Sequence, residues 1–163
     1  MYFEKFPIIY YDYEINGERV VKLVRDITIN VRVRKEILDL ISLYDEYDMR
    51  EDETPEIVAD RVYGSPIYHW VIMLCNQRYD YVEDFPLSTR DFENYVRTKY
   101  GDNVAGIHHY VNEQGFVVNS DAPNASPVTN YNYEMGVNES KRRIKLISSQ
   151  NLFKILAQFR TII

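Results

Sequence analysis

Three histidines, His69, His108 and His109, are the side chains of this sequence best suited to hold a metal ion. His108 and His109 are adjacent in a segment that reads as a β-strand, so their side chains are expected to point to opposite faces. Donors on opposite faces cannot bind one ion side by side, and one cysteine cannot complete a cysteine-rich zinc site. The helical His-Glu-x-x-His spacing is also absent from the sequence. The pattern predicts structural roles for all three histidines and no bound metal.

Cys75 is the only cysteine, which excludes an internal disulfide and fits folding in a reducing compartment. A thiol beside a histidine could act as a nucleophile, but Cys75 ends an apolar helical pattern that includes Trp70 and Leu74. A cysteine in such a place is expected to be buried and inert. The sequence contains no serine–histidine–aspartate spacing and no glycine-rich phosphate loop. We therefore predict no catalytic residue, no cofactor and no small-molecule ligand, so the protein is not expected to be an enzyme.

An acidic run lies between Asp45 and Glu56, where Arg50 is the only basic residue. A calcium loop would need a glycine turn between alternating carboxylates, and this run contains no glycine. The run is therefore interpreted as a solvated turn, with Glu56 placed favourably in the first turn of a helix. An acidic face that docks a basic partner is the second interpretation.

The densest basic run comprises Lys141, Arg142, Arg143 and Lys145. It is interpreted as a charged strand edge, since it lacks the aromatic or helix–turn–helix context of a DNA-binding surface. The formal net charge of −6 opposes non-specific binding to nucleic acid or to an anionic membrane. No apolar run reaches the roughly 20 residues that span a bilayer, and the first residues do not read as a signal peptide. We predict neither a nucleic-acid partner nor a membrane partner.

The elements that would position these residues begin with strands in the first 34 residues. Asn16-Gly17 separates two apolar segments and is the strongest short signal for a hairpin. Residues 27–34 alternate apolar and polar side chains, which predicts another strand. Residues 35–43 are ambiguous and include a short helical pattern. Residues 43–49 alternate again and predict a strand.

Two short helices are predicted over residues 54–76. Thr54-Pro55 provides an N-cap followed by proline at the first helical position, and Gly64 stands where this helix should end. Ser65-Pro66 repeats the start signal, and the second helix should end near Asn76. The apolar stripes of the two helices predict that their buried residues are Val58, Ala59, Trp70, Val71 and Leu74.

The second half of the chain is predicted to mix helices and strands. Ser88 and Asp91 form a capping box for a helix that should end at Gly101. The later pattern predicts, in order, a hairpin over 107–119, a loop over 120–130, a strand at 144–147 and an amphipathic C-terminal helix.

Several short motifs together resemble a known family. Residues 47–76 have the layout of a LysM module, with a strand, an acidic turn ending in Thr54, a helix, a break at Tyr63-Gly64 and a second helix. The chain is more closely similar to the LysM-like wedge subunit of contractile phage baseplates. The motifs that carry this similarity are Glu53–Glu56, Ala59-Asp60, Tyr63-Gly64, His69–Val71, Asn76, Phe85–Ser88, Gly106–Tyr110 and Asn138–Arg142.

The elements and the resemblance together predict an α+β fold, with a LysM-like βαα module, an N-terminal β region, a C-terminal hairpin and a C-terminal helix. The expected division is an N-terminal β-rich arm (1–43), the LysM-like module (44–80) and a part that packs on partners (81–163). The resemblance implies a structural subunit of the virion's tail baseplate, assembled in the host cytoplasm. Such a subunit would join the wedge core and help adjacent wedges close round the hub. The implied partners are other wedge subunits, with hub and sheath-initiating proteins as further candidates.

Two other functions are kept as alternatives. One is a glycan-binding LysM protein that acts on peptidoglycan, and the other is a cell-wall hydrolase. Sugar-binding LysM modules have Gly-Asp-Thr at the turn, whereas this chain has Asp52-Glu53-Thr54, which adds charge and bulk. The sequence offers no catalytic pair for a hydrolase. Assembly is therefore the favoured function.

Aromatic and apolar residues crowd both ends of the chain, which contains 15 tyrosines. One domain of this size can bury one such cluster more easily than two, and a surplus apolar patch marks a partner site. We therefore predict that the termini contact partners, and that removal of residues 151–163 leaves the LysM-like module folded. The candidate interface residues are Tyr2, Phe3, Phe6, Tyr10, Tyr11, Tyr13, Phe153, Phe159 and Ile163.

Overall fold

The computed structural model describes residues 2–29 and 44–162. These residues form helices and small sheets, which confirms the predicted α+β class. The strands are Ile8–Ile15 (β1), Glu18–Arg25 (β2), Tyr44–Asp48 (β3), Ile107–Val111 (β4), Val117–Val118 (β5), Ser126–Thr129 (β6) and Arg143–Ile147 (β7). The α-helices are Pro55–Tyr63 (α1), His69–Cys75 (α2), Thr89–Tyr100 (α3), Asn130–Ser140 (α4) and Ser149–Ile162 (α5). Short 3-10 helices lie at Tyr2–Lys5, Pro66–Tyr68 and Gly101–Asn103.

The chain comprises two compact units. The first unit takes its described residues from Met1–Glu46, Pro55–Gln77 and Lys145–Ile163. The second unit comprises Tyr47–Thr54 and Arg78–Ile144. Each unit therefore gathers segments that are distant in the sequence. The division of the chain into three consecutive parts stays a prediction.

Helix α1 begins and ends where the sequence predicts, whereas the second predicted helix starts as a 3-10 helix at Pro66–Tyr68 and continues as α2. Gly64 follows α1 with a φ of +73°, and its N–H donates to the Asp60 carbonyl at 2.9 Å. Ser65 caps the following 3-10 helix by accepting a hydrogen bond from the Ile67 N–H at 3.4 Å. Helix α2 then ends at Asn76. The break falls at Gly64 because glycine adopts a positive φ without steric cost.

The core of the first unit forms around α2. The residues predicted to be buried are all buried: Val58, Ala59, Trp70, Val71 and Leu74. One apolar cluster joins this helix to segments from both ends of the sequence: Phe6, Trp70, Val71, Leu74, Cys75, Ile147 and Leu152. The first turn of α5 is thus part of the core. Removal of residues 151–163 would take Leu152 out of this cluster, which argues against the expectation that the LysM-like module folds without them; that expectation stays a prediction.

In the second unit, helices α3 and α4 contact each other, and α4 also contacts β4 and β6 of the three-stranded sheet β5–β4–β6. Ser88 caps α3 by accepting a hydrogen bond from the Asp91 N–H at 3.1 Å, and its hydroxyl donates to the Asp91 carboxylate at 3.0 Å. Phe92 and Val96 form the buried face of α3. The Phe92 ring meets the Tyr131 ring edge-on, with 5.4 Å between their centres.

Helix α4 is absent from the sequence-based prediction because its buried face is polar. Asn130, Glu134 and Asn138 are spaced four residues apart and are all buried. Asn138 pairs with the backbone of Leu87, accepting from its N–H at 2.8 Å and donating to its carbonyl at 3.2 Å. Asn130 donates to the Asn103 carbonyl at 2.8 Å. A helix that buries hydrogen-bonded polar side chains produces no hydrophobic periodicity.

Two further segments correct the sequence-based prediction. The loop predicted over 120–130 contains β6, which pairs antiparallel with β4. Ile27 and Thr28 lie in a turn rather than at the start of a strand. The Asp26 carboxylate stabilises this turn by accepting hydrogen bonds from the Thr28 N–H at 3.0 Å and from its hydroxyl at 2.6 Å. The rest of that predicted strand, from residue 30, and the segment 35–43 lie outside the described residues.

Candidate protein interface

The N-terminal hairpin carries Tyr10, Tyr11 and Tyr13 of the predicted interface. Asn16 and Gly17 both have a positive φ, of +53° and +83°, as a tight type I′ turn requires. Strands β1 and β2 pair antiparallel over all eight residues of each strand, which confirms the predicted hairpin. Residues that lie opposite each other in this register point to the same face.

Both faces of the hairpin expose apolar side chains. On one face, Tyr10 is 78% exposed and lies opposite Leu23, which is 64% exposed. On the other face, Tyr11 and Ile15 are also exposed, whereas Tyr13 is half-buried. A two-stranded hairpin on its own is marginally stable in water. The hairpin thus presents an apolar surface on two sides, which is unusual for a protein that acts alone.

Polar contacts fix the hairpin without covering either face. Arg19 forms an ion pair with Asp12 near the turn. At the other end, the Arg25 guanidinium donates to the Phe6 carbonyl at 3.0 Å. Phe6 itself lies in the core of the first unit, two residues before the hairpin begins at Ile8.

The remaining candidate interface residues lie in different environments. Phe3 is exposed, and Phe153 on α5 is 69% exposed. Phe6 is only 1% exposed and therefore offers no surface to a partner in this conformation. The side chains of Tyr2 and Phe159, and the whole of Ile163, lie outside the described residues. The structure therefore places the three tyrosines on one hairpin, with Tyr11 and Tyr13 on one face and Tyr10 on the other.

The adjacent histidines correct a prediction, because their rings touch. The Nδ1 atoms of His108 and His109 lie 2.8 Å apart, and the His108 ring stacks on Tyr133 with 3.8 Å between ring centres. The register of β4 against β6 shifts between Ile107 and His109, and such an irregularity breaks the alternation of a regular strand. The prediction that the two side chains point to opposite faces is therefore wrong. Within residues 2–29 and 44–162, no three potential metal ligands come together.

Cys75 is buried, as the sequence predicts. Burial raises the pKa of its thiol to about 12, because the thiolate would lose its hydration in the core. The thiol is therefore protonated at neutral pH. A protonated, buried thiol is a poor nucleophile.

The acidic run is more than a solvated turn. Glu53 is buried, and its carboxylate accepts hydrogen bonds from the Tyr47 hydroxyl at 2.7 Å and the Arg50 N–H at 2.9 Å. Glu51 accepts hydrogen bonds from the backbone N–H of Thr89 at 2.5 Å and from its hydroxyl at 2.8 Å. These carboxylates therefore hold the second unit together, which corrects the interpretation of the run as wholly solvated.

The basic run is likewise only partly a strand edge. Arg142 precedes β7 and bridges Glu51 at 3.0 Å and Glu139 at 2.7 Å. Arg143 lies within β7 and pairs with Asp48 at 3.1 Å, where both side chains are largely exposed. The run therefore combines a structural ion-pair network with an exposed strand.

A buried carboxylate on α4 organises a network that sequence reasoning missed. Glu134 accepts hydrogen bonds from Lys99 Nζ at 2.8 Å and from the Tyr100 hydroxyl at 2.7 Å. The Tyr95 hydroxyl lies 3.3 Å from its other oxygen. The hydrogen bond from Lys99 to this carboxylate raises the pKa of the ammonium group, so the pair stays charged. No local sequence pattern could reveal this hydrogen-bond network, because Glu134 lies far along the chain from Tyr95, Lys99 and Tyr100.

A comparison with protein families identifies the chain. The family described as Base plate wedge protein 53 matches residues 1–125, which is more than half of the chain. The chain belongs to this family. The wedge protein is therefore a structural component of the phage tail baseplate, part of the virion, and interacts with other baseplate components. The LysM-like arrangement of residues 44–80 stays a prediction.

Two further findings complete this comparison. A search of curated proteins found no match to the wedge protein. In the described residues, none of the helices is both long and apolar enough to cross a membrane.

Proposed function

We propose that this wedge protein joins the wedge core and helps adjacent wedges close round the hub, with the β1–β2 hairpin as its main docking surface. The observation that supports this proposal is the exposure of apolar side chains on both faces of the hairpin. Family membership makes other baseplate proteins the expected partners. Hub and sheath-initiating proteins are further candidates.

The energetics favour a partner on this hairpin. Covering Leu23 alone would contribute about 1.5 to 3 kcal/mol before the costs of association are subtracted. Tyr10 lies opposite Leu23 and adds a large ring with a hydroxyl that can donate to the partner. Because the two faces point in opposite directions, a hairpin seated between two proteins would bury both. That geometry suits a subunit that links neighbours.

A double substitution on one face tests the docking surface. Tyr10→Thr with Leu23→Thr keeps side chains that favour strands and removes the apolar pair. We expect the variant chain to stay folded by circular dichroism and to lose incorporation into wedges in a phage that lacks the wild-type gene. The matched control is Phe116→Thr with Val117→Thr, which removes two exposed apolar residues at another hairpin. Equal incorporation of both variants would contradict the proposal.

A further inference from the structure

The outer edge of β1 is a binding feature of the hairpin that is separate from its two faces. The residues that flank a two-residue turn, here Ile15 and Glu18, form a hydrogen-bonded pair, and such pairs alternate along an antiparallel ladder. The Asp26 N–H donates to the Pro7 carbonyl at 2.9 Å, which continues this alternation beyond the strands. The odd-numbered residues of β1 therefore direct their backbone N–H and C=O groups toward β2. The residues whose backbone groups point away from β2 are Ile8, Tyr10, Asp12 and Glu14.

This edge has no strand partner in the part of the chain that the structure describes. There, β1 and β2 form a sheet of two strands only. An extended peptide added beside β1 would present backbone donors and acceptors at the spacing of the outward groups, as a helix or a loop could not. A third strand would also supply the stability that a two-stranded hairpin lacks. The chemistry of the edge therefore favours a β-strand as its partner.

The two edges of the hairpin are not equivalent. Strands at sheet edges are commonly protected from pairing by lysine and other charged side chains, by proline or by β-bulges. Strand β2 carries three basic residues, Arg19, Lys22 and Arg25. Strand β1 contains no basic residue and no proline, and its register with β2 continues over eight residues without a bulge. Strand β1 is therefore the edge that is open to an added strand.

We propose that β1 pairs along this edge with an extended segment of another baseplate protein, which becomes the third strand of the hairpin sheet. The inference rests on the proposed function and deepens it, because it names the backbone of β1 as the group that holds the partner. Side chains of the added strand would lie beside Ile8 and Tyr10 on one face and beside Ile9 and Tyr11 on the other. The segment is therefore expected to contain a run of β-branched or aromatic residues.

A second copy of this chain is a poorer partner for the same edge. Pairing β1 with β1 would bring Asp12 and Glu14 of both copies into one pair of strands that contains no basic residue. Like charges on neighbouring strands destabilise a sheet. A symmetric pairing of this kind would also end at two copies, whereas the proposed function requires contacts with different subunits.

Proline at Asp12 is the first test. Asp12→Pro removes an outward N–H that the ladder between β1 and β2 does not use, and its ring obstructs an approaching strand. Asp12→Ala is the matched variant, because both substitutions remove the carboxylate that pairs with Arg19. In a phage that lacks the wild-type gene, we expect incorporation of Asp12→Pro to be about tenfold below that of Asp12→Ala, or lower. Equal incorporation of the two variants would overturn the inference.

Hydrogen–deuterium exchange of the wild-type chain is the second test, and it does not depend on whether the proline variant folds. Val21 lies directly opposite Asp12, so its N–H points outward from the β2 edge. We expect the amides of Tyr10 and Asp12 to exchange about tenfold or more slowly in assembled baseplates than in the free chain, and the Val21 amide to slow much less. Equal slowing at the two edges, or no slowing at β1, would overturn the inference.

A photo-crosslinking amino acid at the exposed Glu14, in the full chain within assembled baseplates, identifies the occupant. A crosslinked peptide from another baseplate protein that contains a run of β-branched or aromatic residues would support the inference. A peptide from a second copy of this chain, a peptide without such a run, or no crosslink would overturn it.

These tests separate the edge from the faces of the hairpin. If Asp12→Pro incorporates as well as Asp12→Ala and Tyr10→Thr with Leu23→Thr does not incorporate, this inference fails while the proposed function stands. If the double variant also incorporates normally, the proposed function fails.

Discussion

At the scale of single residues, Asn76 shows how one side chain can fasten two distant segments of the first unit. Its amide group donates to the carbonyls of Ile72 and Lys145, each at 2.8 Å, and its oxygen accepts from the Lys145 N–H at 2.7 Å. These bonds tie the end of α2 to β7. The sequence placed Asn76 at the end of a helix but could not reveal its partner, which lies 69 residues later.

Asn76→Ala should therefore lower the free energy of unfolding by about 0.5–1.5 kcal/mol, because the side-chain hydrogen bonds to the Lys145 backbone are lost. Urea denaturation followed by circular dichroism measures the change. Asn132→Ala, in an exposed position on α4, is the matched control and should change stability by no more than about 0.5 kcal/mol. If both substitutions lowered the free energy of unfolding by similar amounts, Asn76 would not stabilise the protein by linking α2 to β7.

Glu51 gives a prediction that depends on pH. Its pKa is lowered, first by the backbone N–H of Thr89, then by the Thr89 hydroxyl and by Arg142. A carboxylate whose folded pKa lies below its unfolded pKa contributes stability above the unfolded value and loses that contribution as pH falls through the folded value. Because the Glu51 carboxylate is partly exposed and solvent screens its charge, Glu51→Gln should destabilise the protein by less than about 1 kcal/mol at pH 7, and by progressively less below about pH 4.

Urea denaturation of wild type and Glu51→Gln at pH 7 and pH 3 tests this prediction. Glu113→Gln, an exposed substitution in the same unit, controls for the loss of one charge. A difference between wild type and Glu51→Gln that stays constant across this pH range would show that the charge of Glu51 does not matter.

At the scale of elements, the starts and ends of helices were the most predictable features. Gly64, Ser65 and Ser88 act through backbone geometry and hydrogen bonds within a few residues, so a short stretch of sequence contains the whole cause. Helix α4 could not be predicted, because its buried Asn130 and Glu134 receive their partners from distant segments. The contact between the two adjacent histidines was missed for the same reason, since the irregular register depends on the neighbouring strand.

Helix α5 provides the element-scale prediction. Leu152→Ala should lower the free energy of unfolding by about 2–5 kcal/mol, because Leu152 is almost fully buried in the core cluster. Its neighbour Phe153 is 69% exposed, so Phe153→Ala should leave stability nearly unchanged. Thermal and urea denaturation of the two variants measure the difference. If Leu152→Ala lowered the free energy of unfolding only slightly, α5 would not be needed for the stability of the core.

At the scale of the whole molecule, the candidate site could be predicted only in part. Aromatic crowding in the first residues coincides with exposed side chains at Tyr10 and Tyr11, but the same signal included Phe6, which is core. Composition cannot separate these cases, since burial depends on which residues the rest of the chain brings near.

The wedge protein is also expected not to bind chitin oligomers or peptidoglycan. Its turn carries Asp52 and Glu53 where sugar-binding LysM modules keep Gly-Asp, and Glu53 is buried with its own hydrogen-bond partners. Isothermal titration calorimetry of the full chain with chitin oligomers should give no measurable heat of binding. A micromolar dissociation constant, which corresponds to about −8 kcal/mol, would revive the glycan-binding alternative.

The cluster that joins Phe6, Trp70 and Leu152 also bears on how the protein is made. A ribosome delivers the chain from its N-terminus, so every segment of the second unit has been synthesised by Ile144, before Leu152 emerges. The second unit can therefore fold first. Phe6 and Trp70 cannot complete their cluster until Leu152 has been synthesised. Contacts between residues so far apart in sequence form slowly. During that interval, a nascent chain that shows an apolar hairpin and an open core is a natural client for chaperones.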